Sequence, residues 1–150
     1  MRLSSRGRYG LQAACELALQ HGMGPVSARV ISERRNVPPA YLEQLLRKMR
    51  LAGVVVSVRG PGGGYLLARQ PEQISLGDIV RAVEGPIALL ECLEPSFAPD
   101  ECDNMFDCVA RAVWKRLGKE LEGMLDEITL KELSEDRLDI CLCRPTRGRG

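Results

Sequence analysis

The sequence predicts a mainly α-helical chain with one small β-hairpin, and three observations predict it. Apolar residues recur at three- and four-residue steps through most of the chain. A single pair of β-branched runs, flanking a glycine-rich loop, interrupts that pattern. Aromatic residues are only 4% of the 150 residues, so the core has to be aliphatic. A chain of this length forms one or two small units rather than a large catalytic domain.

Taken in order, residues 5–21 carry Tyr9, Leu11, Ala14, Cys15, Ala18 and Leu19 at helical spacing, and His21-Gly22 ends the run. Gly22, Gly24 and Pro25 make a turn, after which Ser27 can cap a short helix reaching Arg35. Asn36-Val37 breaks that helix. Pro38-Pro39 suits the first turn of a third, where the missing N–H groups have no intrahelical partner anyway. This helix places Leu42, Leu45, Leu46 and Met49 on one side, opposite Glu43, Gln44, Arg47, Lys48 and Arg50, and it stops at Gly53. Two helices joined by a tight turn, the second polar and basic outside, match a helix-turn-helix. The runs Val54–Val58 and Tyr65–Ala68 around the loop Arg59–Gly64 then make a hairpin in the position of a wing. A nucleotide-phosphate loop is the rival for these glycines, but the Gly-Lys-Ser/Thr ending and the helix straight afterwards are absent.

Ser75 to Asp78 reads as a capping box opening a helix to about Val83, stopped by Gly85-Pro86. Cys92, Cys102 and Cys108 lie in the acidic, proline-broken loop that follows. From about Met105 a helix of roughly 23 residues, about 35 Å long, carries Val109, Val113, Leu117, Leu121, Met124 or Leu125, and Ile128, with Trp114 beside them. So narrow an apolar stripe on so long a helix calls for a partner helix. Thr129 to Glu132 caps a last short helix, and the tail with Cys141 and Cys143 reads as disordered. The expected division is 1–84 for the winged helix-turn-helix, 85–108 for the cysteine loop, 109–135 for the long and final helices, and 136–150 for the tail.

The net charge of +1 conceals a polarity. Residues 1–69 hold eleven Arg/Lys against three Glu, or +8, and residues 70–150 hold ten against seventeen Asp/Glu, or −7. A basic half joined to an acidic half suits a nucleic-acid reader carrying a separate assembly or sensing part. The opening residues have no apolar signal stretch, and no apolar run approaches the roughly 20 residues of a membrane span. The chain is therefore expected to be cytoplasmic and free of membrane, where thiols stay reduced.

In that compartment three thiols within one loop point to soft metal. The spacing Cys92-x9-Cys102-x5-Cys108 lacks the paired Cys-x2–4-Cys of structural zinc, whereas iron–sulfur clusters tolerate irregular loops. Bare redox-sensing thiols and zinc stay open as alternatives. The fourth ligand is also open: Asp107, Glu101, a residue of a partner chain or a small thiol would complete a site. His21 reads as a surface residue at a helix end, and Cys15 as part of the core.

Three stretches carry a resemblance. Ser4-Ser5-Arg6-Gly7-Arg8-Tyr9, Tyr41-Leu42-Glu43-Gln44-Leu45 and Ser57–Leu67 occur in the order and spacing of the Rrf-type winged-helix regulators, and the similarity spans roughly residues 1–135. It implies a bacterial transcription factor, not an enzyme, that binds a double-stranded DNA operator as a homodimer. It further implies an iron–sulfur cluster, [2Fe-2S] or [4Fe-4S], on Cys92, Cys102 and Cys108. Carried over by position, Tyr41, Glu43 and Gln44 lie near bases or phosphates, where Gln44 has the chemistry to pair with adenine and Glu43 to accept from cytosine. Ser4, Arg6 and Arg8 reach the backbone, Arg59, Gly60 and Gly62 serve the wing, and Ser27 and Arg47 complete the DNA-facing set. Two departures stand out. Pro38 and Ala40 replace serines found in cluster-bearing members, and the first cysteine gap is longer than their x5, with Arg111 where a histidine ligand often sits. The alternative is a clusterless Rrf-type repressor answering to cysteine metabolism or a partner enzyme. A cysteine-based redox enzyme is the rival from another class, and it lacks a Cys-x-x-Cys pair or an activating histidine.

Overall fold

Small residues set the first helix close to the rest of the molecule. In the computed structural model, which describes residues 4–135, α1 (Ser5–Leu19) buries Gly7, Gly10, Ala13, Ala14 and Leu17. A Cβ at Gly10 would lie 3.0 Å from Val83 Cγ1, so this face admits a packed helix only because it is nearly bare. That helix is α4 (Leu76–Glu84), opened by the expected capping box: Asp78 N donates to Ser75 Oγ at 3.0 Å, and Ser75 N to Asp78 Oδ2 at 3.2 Å.

Between them come α2 (Ala28–Arg35) and α3 (Pro39–Leu51). Ser27 caps α2, accepting from Val30 N at 3.3 Å. Asn36 ends it in the left-handed region at φ 52°, where a short polar side chain is tolerated. Ser32 Oγ donates to the Val37 carbonyl at 2.6 Å and closes the turn. The four apolar positions read from α3, Leu42, Leu45, Leu46 and Met49, are essentially inaccessible to solvent and join Ile31, Val54, Val55, Ile74, Ile79 and Val83 in one core.

The hairpin pairs β1 (Val55–Val58) antiparallel with β2 (Gly64–Leu67), with Val55 opposite Leu67 and Val58 opposite Gly64. Its tip, Gly60-Pro61-Gly62-Gly63, is closed by a 2.9 Å bond from Gly63 N to the Gly60 carbonyl. Proline second and a φ of 73° at Gly62 third is the arrangement a type II turn requires. A third strand segment, absent from the sequence reading, lies alongside: Val26 bridges Tyr65, with bonds of 3.0 and 2.8 Å. Gly64 makes room for it, since a Cβ there would meet the Val26 carbonyl oxygen at 2.3 Å.

The long helix differs from expectation at its start. α5 is Val109–Glu127, 19 residues, and begins four residues after Met105 because turns occupy the preceding stretch and Cys108, in extended conformation, is its cap. After α5 the chain returns to the core. Leu76 N donates to the Ile128 carbonyl (2.8 Å) and Leu130 N to the Ile74 carbonyl (2.7 Å), and fully buried Leu130 opens α6 (Leu130–Glu135). The expected Thr129 cap is present, with Thr129 N donating to Glu132 Oε2 at 2.8 Å and Glu132 N to Thr129 Oγ1 at 3.3 Å. The tail 136–150, with Cys141 and Cys143, lies outside the described residues. No helix among the described residues is long and apolar enough to cross a membrane.

One buried charge joins α1 to α2. Glu16, 3% exposed, accepts from Arg34 Nη1 at 2.7 Å and from Arg35 Nε at 2.9 Å. Burial pushes its carboxyl up, and the two guanidinium groups outweigh that, so the net shift is below the usual carboxylate range. A depressed carboxyl stabilises the fold fully above the unfolded-state value and loses that contribution as pH falls through the folded one. Glu16→Gln, which strands two guanidinium groups that can partly turn to water, is expected to cost about 2 kcal/mol at neutral pH. Thermal unfolding followed from neutral to acid pH checks this: the gap between wild type and variant should shrink as pH falls below 4 or so.

Candidate nucleic-acid interface and thiol loop

The polar side of α3 stands free because its other side is sealed. Glu43, Gln44 and Arg47 are all exposed, and Tyr41 is half-buried at the helix start. No side chain caps that start; Pro38 occupies the cap position and Pro39 the first turn. With Arg50 and Tyr65, the residues Glu43, Gln44 and Arg47 line a shallow recess of about 350 Å³ between α3 and the hairpin. Tyr65 Oη donates to Glu43 Oε2 at 3.3 Å, and Arg50 Nη1 donates to Ser57 Oγ at 3.4 Å. Helix and hairpin are thus tied at two places, and of the four side chains involved only Glu43 belongs to the expected site set. Burial, with the neighbouring Glu43 carboxylate, pushes the Tyr65 hydroxyl up, so it remains a donor at neutral pH. Arg59, Gly60 and Gly62 are exposed at the hairpin tip.

The expected residues of the N-terminal arm divide. Arg6 and Arg8 are exposed, Arg8 donating to Tyr9 Oη at 3.0 Å with its guanidinium carbon 4.6 Å from the ring centre. Ser4 is engaged. Its hydroxyl accepts from Arg6 N at 3.0 Å, capping α1, and donates to Glu84 Oε1 at 2.6 Å. The arm meets α3 where Ser5 Oγ lies 3.1 Å from Tyr41 Oη, and Tyr9 packs edge-on to Tyr41 at 5.8 Å between ring centres. Ser27 is half-buried and occupied as the α2 cap.

The thiols are strung along the connection from α4 to α5. Cys92 lies within a 3-10 turn, Glu91–Leu93, Cys102 follows another, Pro99–Glu101, and Cys108 caps α5, its sulfur accepting from Arg111 N at 3.4 Å. All three are half-buried free thiols. Successive turns space them out, and among the described residues no three His, Cys, Asp or Glu side chains gather closely enough to hold a metal ion. In kind the donors fit an iron–sulfur cluster, being three sulfurs outside any disulfide on a single segment. Binding one requires the loop to draw its turns together. Cys15 is packed against the core, and burial pushes its thiol up to about 11, as expected for a structural cysteine.

Beyond the loop, α5 shows one of its faces to solvent. Val109 is 76% exposed, Val113 49%, Trp114 43%, Leu117 46% and Met124 64%. Leu121 and Leu125 instead turn toward α1 and α4, lining with Leu11, Leu76 and Val80 an apolar groove of about 590 Å³.

Comparison with known proteins accounts for this arrangement. The profile of the Rrf2 family, described as iron-dependent transcriptional regulators, matches residues 3–136. The HTH-type transcriptional regulator IscR of Cronobacter sakazakii is 39% identical, over 99% of this chain and 94% of its own. Among solved structures, CymR, the global cysteine regulator of B. subtilis, superposes with a TM-score of 0.71 at 38% identity, covering 91% of this chain and 98% of that one. IscR of T. potens gives 0.70, also at 38% identity, over 97% and 94%. The winged helix-turn-helix, with a helical extension returning to its core, is the fold these relatives share. The chain belongs to the Rrf2 family of DNA-binding transcriptional regulators and is not an enzyme.

Proposed function

We propose that the chain is a homodimeric regulator that reads operator DNA with α3 and the hairpin, and that an iron–sulfur cluster on Cys92, Cys102 and Cys108 controls that binding. The observation that carries the sensing half is the placement of three free thiols on the one segment joining α4 to α5. When bound, the cluster supplies irons that accept thiolate sulfur and so fasten three points of the loop together. The family description as iron-dependent regulators supports the same signal.

On the DNA side, Gln44 and Glu43 offer base-reading chemistry, while Arg47, Arg6, Arg8 and Arg59 offer positive charge for phosphates. The hairpin tip brings Gly60 and Gly62 forward without side chains, so its backbone can approach a strand closely. Dimerisation is supported by the exposed stripe of α5. Its first half is basic (Arg111, Lys115, Arg116 and Lys119) and its second acidic (Glu120, Glu122 and Glu127), so two copies laid antiparallel match opposite charges. Such a pair covers the apolar stripe and sets the distance between two α3 helices, which is what spacing between operator half-sites demands.

A second reading is favoured by one relative and one feature of the loop. CymR is a global cysteine regulator, and the three sulfurs are not gathered in this structure. On that reading the chain holds no cluster and answers to cysteine metabolism or a partner protein. Anaerobic reconstitution with iron and sulfide separates the two. The expected product is coloured, contains iron, and loses both properties in Cys92→Ser, Cys102→Ser or Cys108→Ser but not in Cys15→Ser. A colourless, iron-free protein with its thiols intact hands the function to the second reading.

For DNA, fluorescence anisotropy on duplexes at several salt concentrations gives the checks. Gln44→Ala should lower the preference for operator over random duplex about tenfold, or about 1.4 kcal/mol, toward the low end of the range for a bidentate base contact. Arg47→Ala should weaken all duplexes alike and lower the slope of log affinity against log salt by about one.

A further inference from the structure

Two carboxylates tie helix α4 to its neighbours: Asp126 of α5 and its own last residue, Glu84. At its start, beside Ser75 and Gly77, Asp126 from the last turn of α5 meets the guanidinium of Arg81, a residue of the last turn of α4, in a two-pronged contact, Nη2 to Oδ1 at 2.5 Å and Nη1 to Oδ2 at 3.3 Å. Ser75 Oγ donates to the same Oδ1 at 3.3 Å. The contact depends on a missing side chain, since a Cβ at Gly77 would fall 2.0 Å from Asp126 Oδ1. At its other end, Glu84 reaches the first turn of α1. A single oxygen, Oε1, accepts from Ser4 N (3.0 Å), Ser4 Oγ (2.6 Å) and Gly7 N (2.9 Å).

Glu84 is also the last residue before the thiol-bearing connection, whose root is Gly85 at φ 96°. Next to it, Lys48 of α3 donates to the Val83 carbonyl at 3.2 Å. The end of α4 therefore touches both elements that face DNA, the arm of α1 and the flank of α3, while its beginning grips the end of α5.

We propose that α4 is a rigid relay within one subunit, with Asp126, Arg81 and Glu84 as positioning residues. A change in how α5 sits is carried by α4 to the arm bearing Ser4, Arg6 and Arg8. This rests on the reading of the chain as a DNA-binding regulator whose α5 responds to its signal. It goes beyond that reading in one respect: the signal reaches DNA contacts inside each subunit, as well as through the spacing of two subunits. A helix of nine residues moves as a unit, and its Gly10–Val83 contact with α1 is too close-packed to absorb a displacement.

A double-mutant cycle tests the relay, because two surface carboxylates on separate elements should act independently unless one element couples them. Asp126→Ala, Glu84→Ala and the double variant are titrated onto a fluorescent duplex selected from a random pool with the wild-type protein. Sedimentation and thermal unfolding establish that each variant remains folded and in the same assembly. Each single change should weaken binding at least fivefold, with the double variant no weaker than the worse single one. Glu84→Ala should also flatten the salt dependence, as the arm's phosphate contacts are lost. Gly77→Ala, which changes no charge, should reproduce Asp126→Ala. Where an alanine variant does not fold, Glu84→Gln and Asp126→Asn complete the cycle, with smaller effects and the same non-additivity expected. Effects that multiply, or single variants within twofold of wild type, overturn the relay while leaving DNA binding in place. Failure of the wild type to enrich any duplex overturns the DNA-binding reading itself and the relay with it.

Discussion

The burial of one face of α3 is the constraint on which the rest depends. Leu42, Leu45, Leu46 and Met49 reach solvent at 1% or less, which means a 13-residue helix is gripped along its whole inner side. Burying four such side chains is worth about 1.5–3 kcal/mol each before entropy is counted, enough to hold a helix whose start has no side-chain cap. The two prolines at that start then serve as a boundary rather than a fastening. Its outer face can therefore carry Glu43, Gln44 and Arg47 exposed to solvent, because the inner face supplies the attachment.

The rest of the chain wraps that core in a way that makes distant segments interdependent. Leu130, close to the end of the described residues, occupies the same core as Leu17 and Ile31. Its backbone bond to Ile74, together with that of Leu76 to Ile128, fixes the end of α5 at the start of α4. The helix carrying the exposed apolar stripe is consequently anchored at its far end, and its near end is joined to the thiol connection. A change in that connection therefore acts on a helix whose far end is tied to α4.

Much of this was legible in the sequence where the signal is local. Ser27, Ser75 and Thr129 each sit three residues before the backbone N–H they cap, so the starts of α2, α4 and α6 could be read directly. The core face of α3 follows from period alone. Four things were not legible. The Val26–Tyr65 bridge is one residue pair long and has no period to detect. The start of α5 was placed too early because Met105 and Phe106 extend the apolar pattern, although Phe106 is 90% exposed in a turn. Glu84 meets Ser4 across 80 residues of chain, and a lone Glu before Gly-Pro gives no sign of a partner so far away. Tyr65 was read as a strand residue for the same reason, since its hydroxyl finds Glu43 only once helix and hairpin are packed.

The cap at Cys108 links the chemistry of the loop to the mechanics of α5. Its sulfur accepts from Arg111 N, so the same atom serves the first turn of the helix and is one of the three proposed donors. A thiolate bound to metal keeps lone pairs for that N–H and carries negative charge, which the positive end of a helix favours. Holding a cluster and holding the cap therefore do not compete at this residue. Cys92 and Cys102 are different. They lie in or beside short turns of three residues, which exchange little hydrogen bonding if they move. Ligation would then draw Cys92 and Cys102 together with Cys108 at the root of α5, so that ordering the connection also bears on how that helix sits. On the cluster reading, one donor is built into a helix start and two sit on short turns, and the nine residues between Cys92 and Cys102 leave chain enough to close the gap.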